Sequence, residues 1–164
     1  MVKFFLGIAV VAFTTFCGYL LSQKYRKRKL FFEQYCTFNQ HFLSEITYYK
    51  RPIIEFIRNE VYKGEFIYLL EEYVNITKKQ TIMRGNLLQN SAFSFLKQEE
   101  KSGIEEYFQT LGKGDSLSQK TYFSAMKERL DIQRKDAQEQ AKKYGDLYVK
   151  IGFLFGLFVL ILVV

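Results

Sequence analysis

From Phe4 to Leu21 the chain runs for 18 residues without a charge. At about 1.5 Å per residue this makes about 27 Å of helix, close to the ~30 Å of a bilayer core, and it predicts an N-terminal membrane helix. The other end is also apolar. Ile151 to Val164 is 14 uncharged residues, about 21 Å of helix and short for a span. Lys150 can snorkel and let Leu147, Tyr148 and Val149 enter the boundary region. The first run has a rival reading as a signal peptide, because Lys3 is a basic start and Thr14-Thr15-Phe16-Cys17-Gly18 resembles a lipoprotein cleavage box. Phe16 is too bulky before Cys17, no small-x-small site follows, and the cations after the run oppose export, so a retained anchor is expected.

Between these ends the apolar positions step by three and four. Phe31, Tyr35, Phe38, Phe42, Ile46 and Tyr49 mark one helix from the membrane to about Tyr49. Pro52 suits the first turn of a second helix carrying Ile53, Phe56, Ile57 and Val61, with Gly64 placed to stop it. Phe66, Leu69, Leu70, Tyr73 and Val74 mark a third. Ile82, Met83 and Leu87 allow a fourth between Thr77 and Gln89. Phe93, Phe95, Leu96, Ile104, Phe108 and Leu111 outline a fifth, broken or continuous, whose weak point is Ser102-Gly103. After a turn at Leu111 to Asp115, Ser116 and Gln119 fit a capping box. Nothing then interrupts helix to the end, and one rod from Ser116 to Val164 would be about 73 Å long.

Charge orients this layout. The net charge is +7, and Lys24, Arg26, Lys27, Arg28 and Lys29 supply five of it, leaving 7 − 5 = +2 elsewhere. With Lys142, Lys143 and Lys150 before the second apolar run, the positive-inside rule places the middle in the cytoplasm and both termini on the opposite side. Membrane topology explains this cluster more simply than nucleic-acid phosphates do, and no nucleic-acid partner is expected. One proline and ten glycines leave few breakers for short strands,. The expected fold is therefore all-α: an N-terminal anchor at 1–23, a cytoplasmic bundle of about five to six helices at 24–149, and a C-terminal transmembrane helix at 150–164 continuous with the last bundle helix.

Reactive chemistry is thin. Cys17 and Cys36 lack disulfide or metal spacing, and the single histidine, His41, limits general-base and zinc constellations. Gly112 to Ser116 lacks the order of a phosphate loop. Glu71-Glu72, Glu99-Glu100 and Glu105-Glu106 are adjacent pairs about 100° apart on a helix, read as solvated faces. The many aromatics fall on the apolar stripes and read as core. No catalytic residue, cofactor, metal or small-molecule substrate is expected.

Several strings resemble the stage III sporulation protein AB family of endospore-forming bacteria. They are Gly18 to Arg28, Glu45-Ile46-Thr47-Tyr48 with Pro52 beyond, Leu111-Gly112-Lys113 to Asp115 with Gln119, and Tyr144 to Leu157 with Gly152 and Gly156. The stretch from about Ile76 to Lys101 departs from the family pattern, since an Ala-Trp pair is usual there and this chain has no tryptophan. The resemblance implies a component of the channel joining mother cell and forespore, similar to the inner-membrane platform (F) protein of type II secretion and type IV pilus machines. It implies the cytoplasmic ATPase stage III sporulation protein AA and other channel subunits as partners, and a place in the mother-cell membrane around the forespore. Polar positions within the strings, Glu45, Arg51, Lys113, Asp115 and Gln119, are its candidate partner contacts.

Thr14 and Gly18, like Gly152 and Gly156, are small residues four apart, and offer close-approach faces for packing within the molecule or against other subunits. A competing reading is a membrane-surface regulator that holds anionic lipid through Lys24 to Lys29. An unrecognised membrane enzyme is a further rival, disfavoured by the thin reactive inventory.

Overall fold

The computed structural model describes the backbone of residues 2–49, 53–59, 62–79 and 87–163, with the side chains of 2–6, 49, 56, 58, 59 and 163 outside the described set. Among these residues there is no strand. In chain order they form α1 (Val2–Ser44) continued by a π-helical turn (Glu45–Tyr49), α2 (Ile53–Asn59), α3 (Glu65–Lys78), a 3-10 turn (Ser91–Phe93), α4 (Gln98–Thr110), α5 (Ser116–Gly145) and α6 (Leu147–Val163). Asp146 is the single turn residue between α5 and α6, and its carbonyl accepts the Lys150 N–H at 3.1 Å. The chain divides into two compact units, 30–135 and a second made of 1–29 with 136–164.

The 30–135 unit is built around aromatic rings. Phe31, Phe32, Tyr35, Phe38 and Phe42 bury the stripe of α1, and Phe66, Leu69, Leu70, Tyr73 and Val74 bury that of α3. Phe31 packs against Phe66 and Phe95 with ring centroids 5.4 and 5.7 Å apart. Phe38 meets Phe108 at 5.6 Å, and Phe123 of α5 meets Phe42 at 4.9 Å and Tyr107 at 4.8 Å. Tilted and edge-on contacts of this kind add about 0.5–1.5 kcal/mol each beyond area burial, so ring geometry pins the helices as well as hydrophobicity does.

One polar group crosses this core. Asn39, 1% exposed, donates its amide to the Phe123 carbonyl at 3.1 Å and accepts the Tyr107 hydroxyl at 2.9 Å. Because a buried polar atom without a partner costs about 1–3 kcal/mol, the three groups select one register among α1, α4 and α5.

Helix ends differ from expectation in specific places. Gly64, at φ 64°, is the N-cap of α3, and its backbone closes against the Leu30 side chain, where a Cβ would come within 2.7 Å of Leu30 Cδ2. Pro52, Val61, Ile82 and Met83 lie outside the described residues, while Leu87 and Leu88 are buried in a turn. The break in the fifth expected helix falls before Gln98, and α4 runs through Ser102-Gly103. Glu100 stabilises that start by accepting the Lys97 N–H at 2.9 Å, and Ser102 returns its hydroxyl to the Gln98 carbonyl at 3.2 Å. Glu100 is consequently buried, a correction to its reading as part of a solvated face.

Candidate functional site

The unit formed by 1–29 and 136–164 brings α1 against α6 at their small residues. A Cβ on Gly152 would lie 2.5 Å from the Thr14 carbonyl oxygen, and one on Gly156 would lie 2.7 Å from Val11 Cα. Gly18 faces the Tyr148 carbonyl and Val149 Cα in the same way, the latter at 3.3 Å. Thr14, Gly18, Gly152 and Gly156 thus meet across one backbone-to-backbone seam. Removing side chains lets dispersion act between whole helices, the force available where no water drives apolar association.

Outward from the seam the residues are large and apolar. Phe13, Phe16 and Leu20 of α1 and Leu154, Phe158 and Ile161 of α6 are between 53% and 76% exposed. Continuous apolar surface of this kind requires lipid or protein to cover it. Hydroxyls along α1 are satisfied internally: Thr14 donates to the Val10 carbonyl at 3.0 Å, Thr15 to Val11 at 2.7 Å and Ser22 to Tyr19 at 2.8 Å. That is what a hydrocarbon solvent demands of polar groups. One stretch, within Ser116–Leu162, is long and apolar enough to cross a membrane among the described residues, with mean hydropathy 1.9. The expected first span starts at Phe4, and residues 4–6 lie outside the described side chains.

Polar order begins where the apolar seam ends. Tyr25 packs on Tyr144 at 5.1 Å and stacks on Tyr148 at 5.9 Å, and the Lys143 ammonium lies 5.2 Å from the Tyr144 ring centre. Arg26 pairs with Asp146 at 3.3 Å in an exposed bridge. Arg28 is only 4% exposed, donates to Asp136 at 2.8 Å and to Gln140 Oε1 at 3.3 Å, and Gln140 in turn donates to Asp136 at 3.0 Å. Lys24, Lys27 and Lys29 complete the basic cluster and are exposed. The charge run treated as uniform in sequence therefore splits: Arg28 locks α1 to α5, and the lysines face outward.

The candidate partner contacts fall in separate places. Glu45 opens the π-helical turn and is 4% exposed, and Arg51 lies outside the described residues. Lys113 and Asp115 are exposed in the turn before α5, and Gln119, 9% exposed, lies in the first turn of α5. Gly112 and Gly114 adopt φ 74° and 88°, a left-handed geometry that glycine enters without a Cβ penalty,. The cap of α5 is Asp115, not Ser116. Its carboxylate accepts the Ser118 N–H at 2.8 Å and the Ser118 hydroxyl at 2.9 Å, and these bonds hold its pKa below the ordinary carboxylate value. Gln119 reaches back as expected, but to the Gly114 carbonyl, at 3.4 Å. Asp wins because an N-cap acceptor must bond the N–H three residues on, and a charged oxygen also favours the helix N-terminus.

Sequence reasoning missed Asn39, whose signal was a lone amide within the Tyr35, Phe38, Phe42 stripe, and the Tyr25, Tyr144, Tyr148 cluster. Among the described residues no group of histidine, cysteine or carboxylate side chains is placed to hold a metal ion.

These features define an all-helical protein carrying an apolar run fit to cross a membrane. A family model of stage III sporulation protein AB matches residues 3–164, essentially the full chain. The chain belongs to that family, and its role is in sporulation. No curated protein and no solved structure matches it.

Proposed function

We propose that this protein is a non-catalytic membrane platform of the mother-cell to forespore channel, crossing the mother-cell membrane twice and engaging the cytoplasmic ATPase stage III sporulation protein AA. The observation that carries the reading is the α1–α6 seam at Gly18, Gly152 and Gly156. It supports a paired insertion in which the short α6 run is matched by α1, rather than one isolated span. Family membership supports the sporulation setting. In this reading energy comes from the ATPase, and the helical 30–135 unit receives it on the cytoplasmic side, with Lys113, Asp115 and Gln119 as candidate contacts.

The test is affinity capture of the tagged full chain from cross-linked, detergent-solubilised sporulating cells. Recovery of the ATPase with other channel subunits is expected. Recovery of the intact, membrane-fractionated chain without them contradicts the platform reading.

A further inference from the structure

The positive-inside rule accounts for the number of cations beside the apolar seam, but not for which of them the protein leaves unneutralised. Arg26 and Arg28 are engaged by Asp146 and by Asp136 with Gln140. Lys24, Lys142 and Lys143 are exposed and make no ion pair among the described residues. The remaining acid on this part of α5, Glu139, lies one turn before Lys142 and Lys143 and bridges to neither. Lys143 sits against Tyr144, in the ring cluster that Tyr25 and Tyr148 complete. Tyrosines at this level are typical of the headgroup layer, where a ring rests on apolar surface and its hydroxyl meets water and phosphate.

We infer that Lys24 and Lys143, beside the Tyr25, Tyr144 and Tyr148 rings, form a seat for the phosphate of an anionic lipid headgroup. The inference rests on the membrane reading above. It moves lipid recognition away from the linear Lys24 to Lys29 run and onto a surface shared by α1, α5 and α6. Charge complementarity decides the occupant: two ammonium groups at the rings lack a protein counter-charge, and the adjoining surface is apolar enough to take acyl chains. A lysine near an anionic surface contributes up to about a fivefold preference. Two lysines sharing one headgroup exchange it with bulk lipid, so a preference of at least about threefold is expected for the site.

The full chain is placed in phosphatidylcholine nanodiscs with trace spin-labelled phosphatidylglycerol or spin-labelled phosphatidylcholine, and the motionally restricted fraction of each probe is measured. Restriction of phosphatidylglycerol should exceed that of phosphatidylcholine by at least about threefold, fall to parity in the K24Q/K143Q variant, and return in K24R/K143R. Parity in the unaltered chain, or a preference that survives the glutamine variant, overturns the seat. Loss of preference on adding excess inorganic phosphate with monovalent salt matched would assign the site to free phosphate and overturn the lipid commitment. Protease protection of α6 in the same discs separates the two readings: digestion of α6 rejects the membrane assignment and this inference together, whereas protection with parity rejects the seat alone.

Discussion

Replacing Gly152 and Gly156 together with alanine adds two methyl groups to the α1–α6 seam. The new Cβ atoms would sit 2.5 Å from the Thr14 carbonyl oxygen and 2.7 Å from Val11 Cα. Both obstacles are backbone, so no side-chain rotation relieves them. Ordinary contact begins near 3.4 Å, and α6 must retreat by about 3.4 − 2.5 = ~0.9 Å. A gap of that size forfeits about a quarter to a half of each dispersion contact along the seam. Overpacking costs about 1–3 kcal/mol per site, and adjacent sites relieved by one retreat add incompletely, giving about 2–4 kcal/mol for the pair. At about 2–4 °C per kcal/mol, the melting temperature of the full chain in detergent should fall by about 4–16 °C. Leu154→Ala, on the outward face, should move it little. A pair variant melting with the unaltered protein, or an equal fall for Leu154→Ala, would refute the close-packed seam.

Three further outcomes follow from the polar groups. Asn39→Leu strands the Tyr107 hydroxyl and takes away the second bond to the Phe123 carbonyl, which keeps its place in the α5 ladder, and should cost about 1–3 kcal/mol in denaturant unfolding, while Tyr107→Phe, which strands one acceptor, should cost about 1–2 kcal/mol. Asp136→Ala should destabilise more than Asp146→Ala, since the first uncovers a buried guanidinium and the second ends an exposed pair worth about 0–1 kcal/mol; equal effects in a melt would remove the locking role of Arg28. Burial pushes the Cys36 thiol from 9.0 up to about 11. Its thiolate is then about 100-fold scarcer at neutral pH, so iodoacetamide should modify it at least that much more slowly than a free thiol, and faster as pH rises toward 11,. Rapid labelling at pH 7 would contradict the burial.

Helical class and the aromatic core were legible in the chain because a stripe such as Phe31, Tyr35, Phe38, Phe42 has one folding solution. The small residues of the seam were equally visible, at steps of four. What was hidden depends on partners distant in sequence. Nothing near Arg28 announces that Asp136 and Gln140, over a hundred residues away, will bury it. The start of α4 was misplaced because Phe93, Phe95 and Leu96 keep an apolar rhythm through a turn, and the deciding contact is the Glu100 carboxylate on the Lys97 N–H. Asp115 displaced Ser116 as cap for a local reason, one residue of register that both sequences of polar side chains permit. The two-unit division at Leu30 and Asp136 leaves no mark in composition.

The paired-span topology is the claim on which the proposed function stands, and it is tested most directly by the sidedness of two points on the full chain. Cys17 and Cys36 are first replaced by serine. Single cysteines are then introduced at Lys113, in the exposed turn before α5, and immediately after Val164, and the chain is produced in non-sporulating cells, whose membrane is open to the medium, and labelled with a membrane-impermeant maleimide. The account predicts that the cysteine after Val164 reacts in intact cells and that the one at Lys113 reacts only once the membrane is opened. Labelling of both sites in intact cells, or of neither, would contradict it.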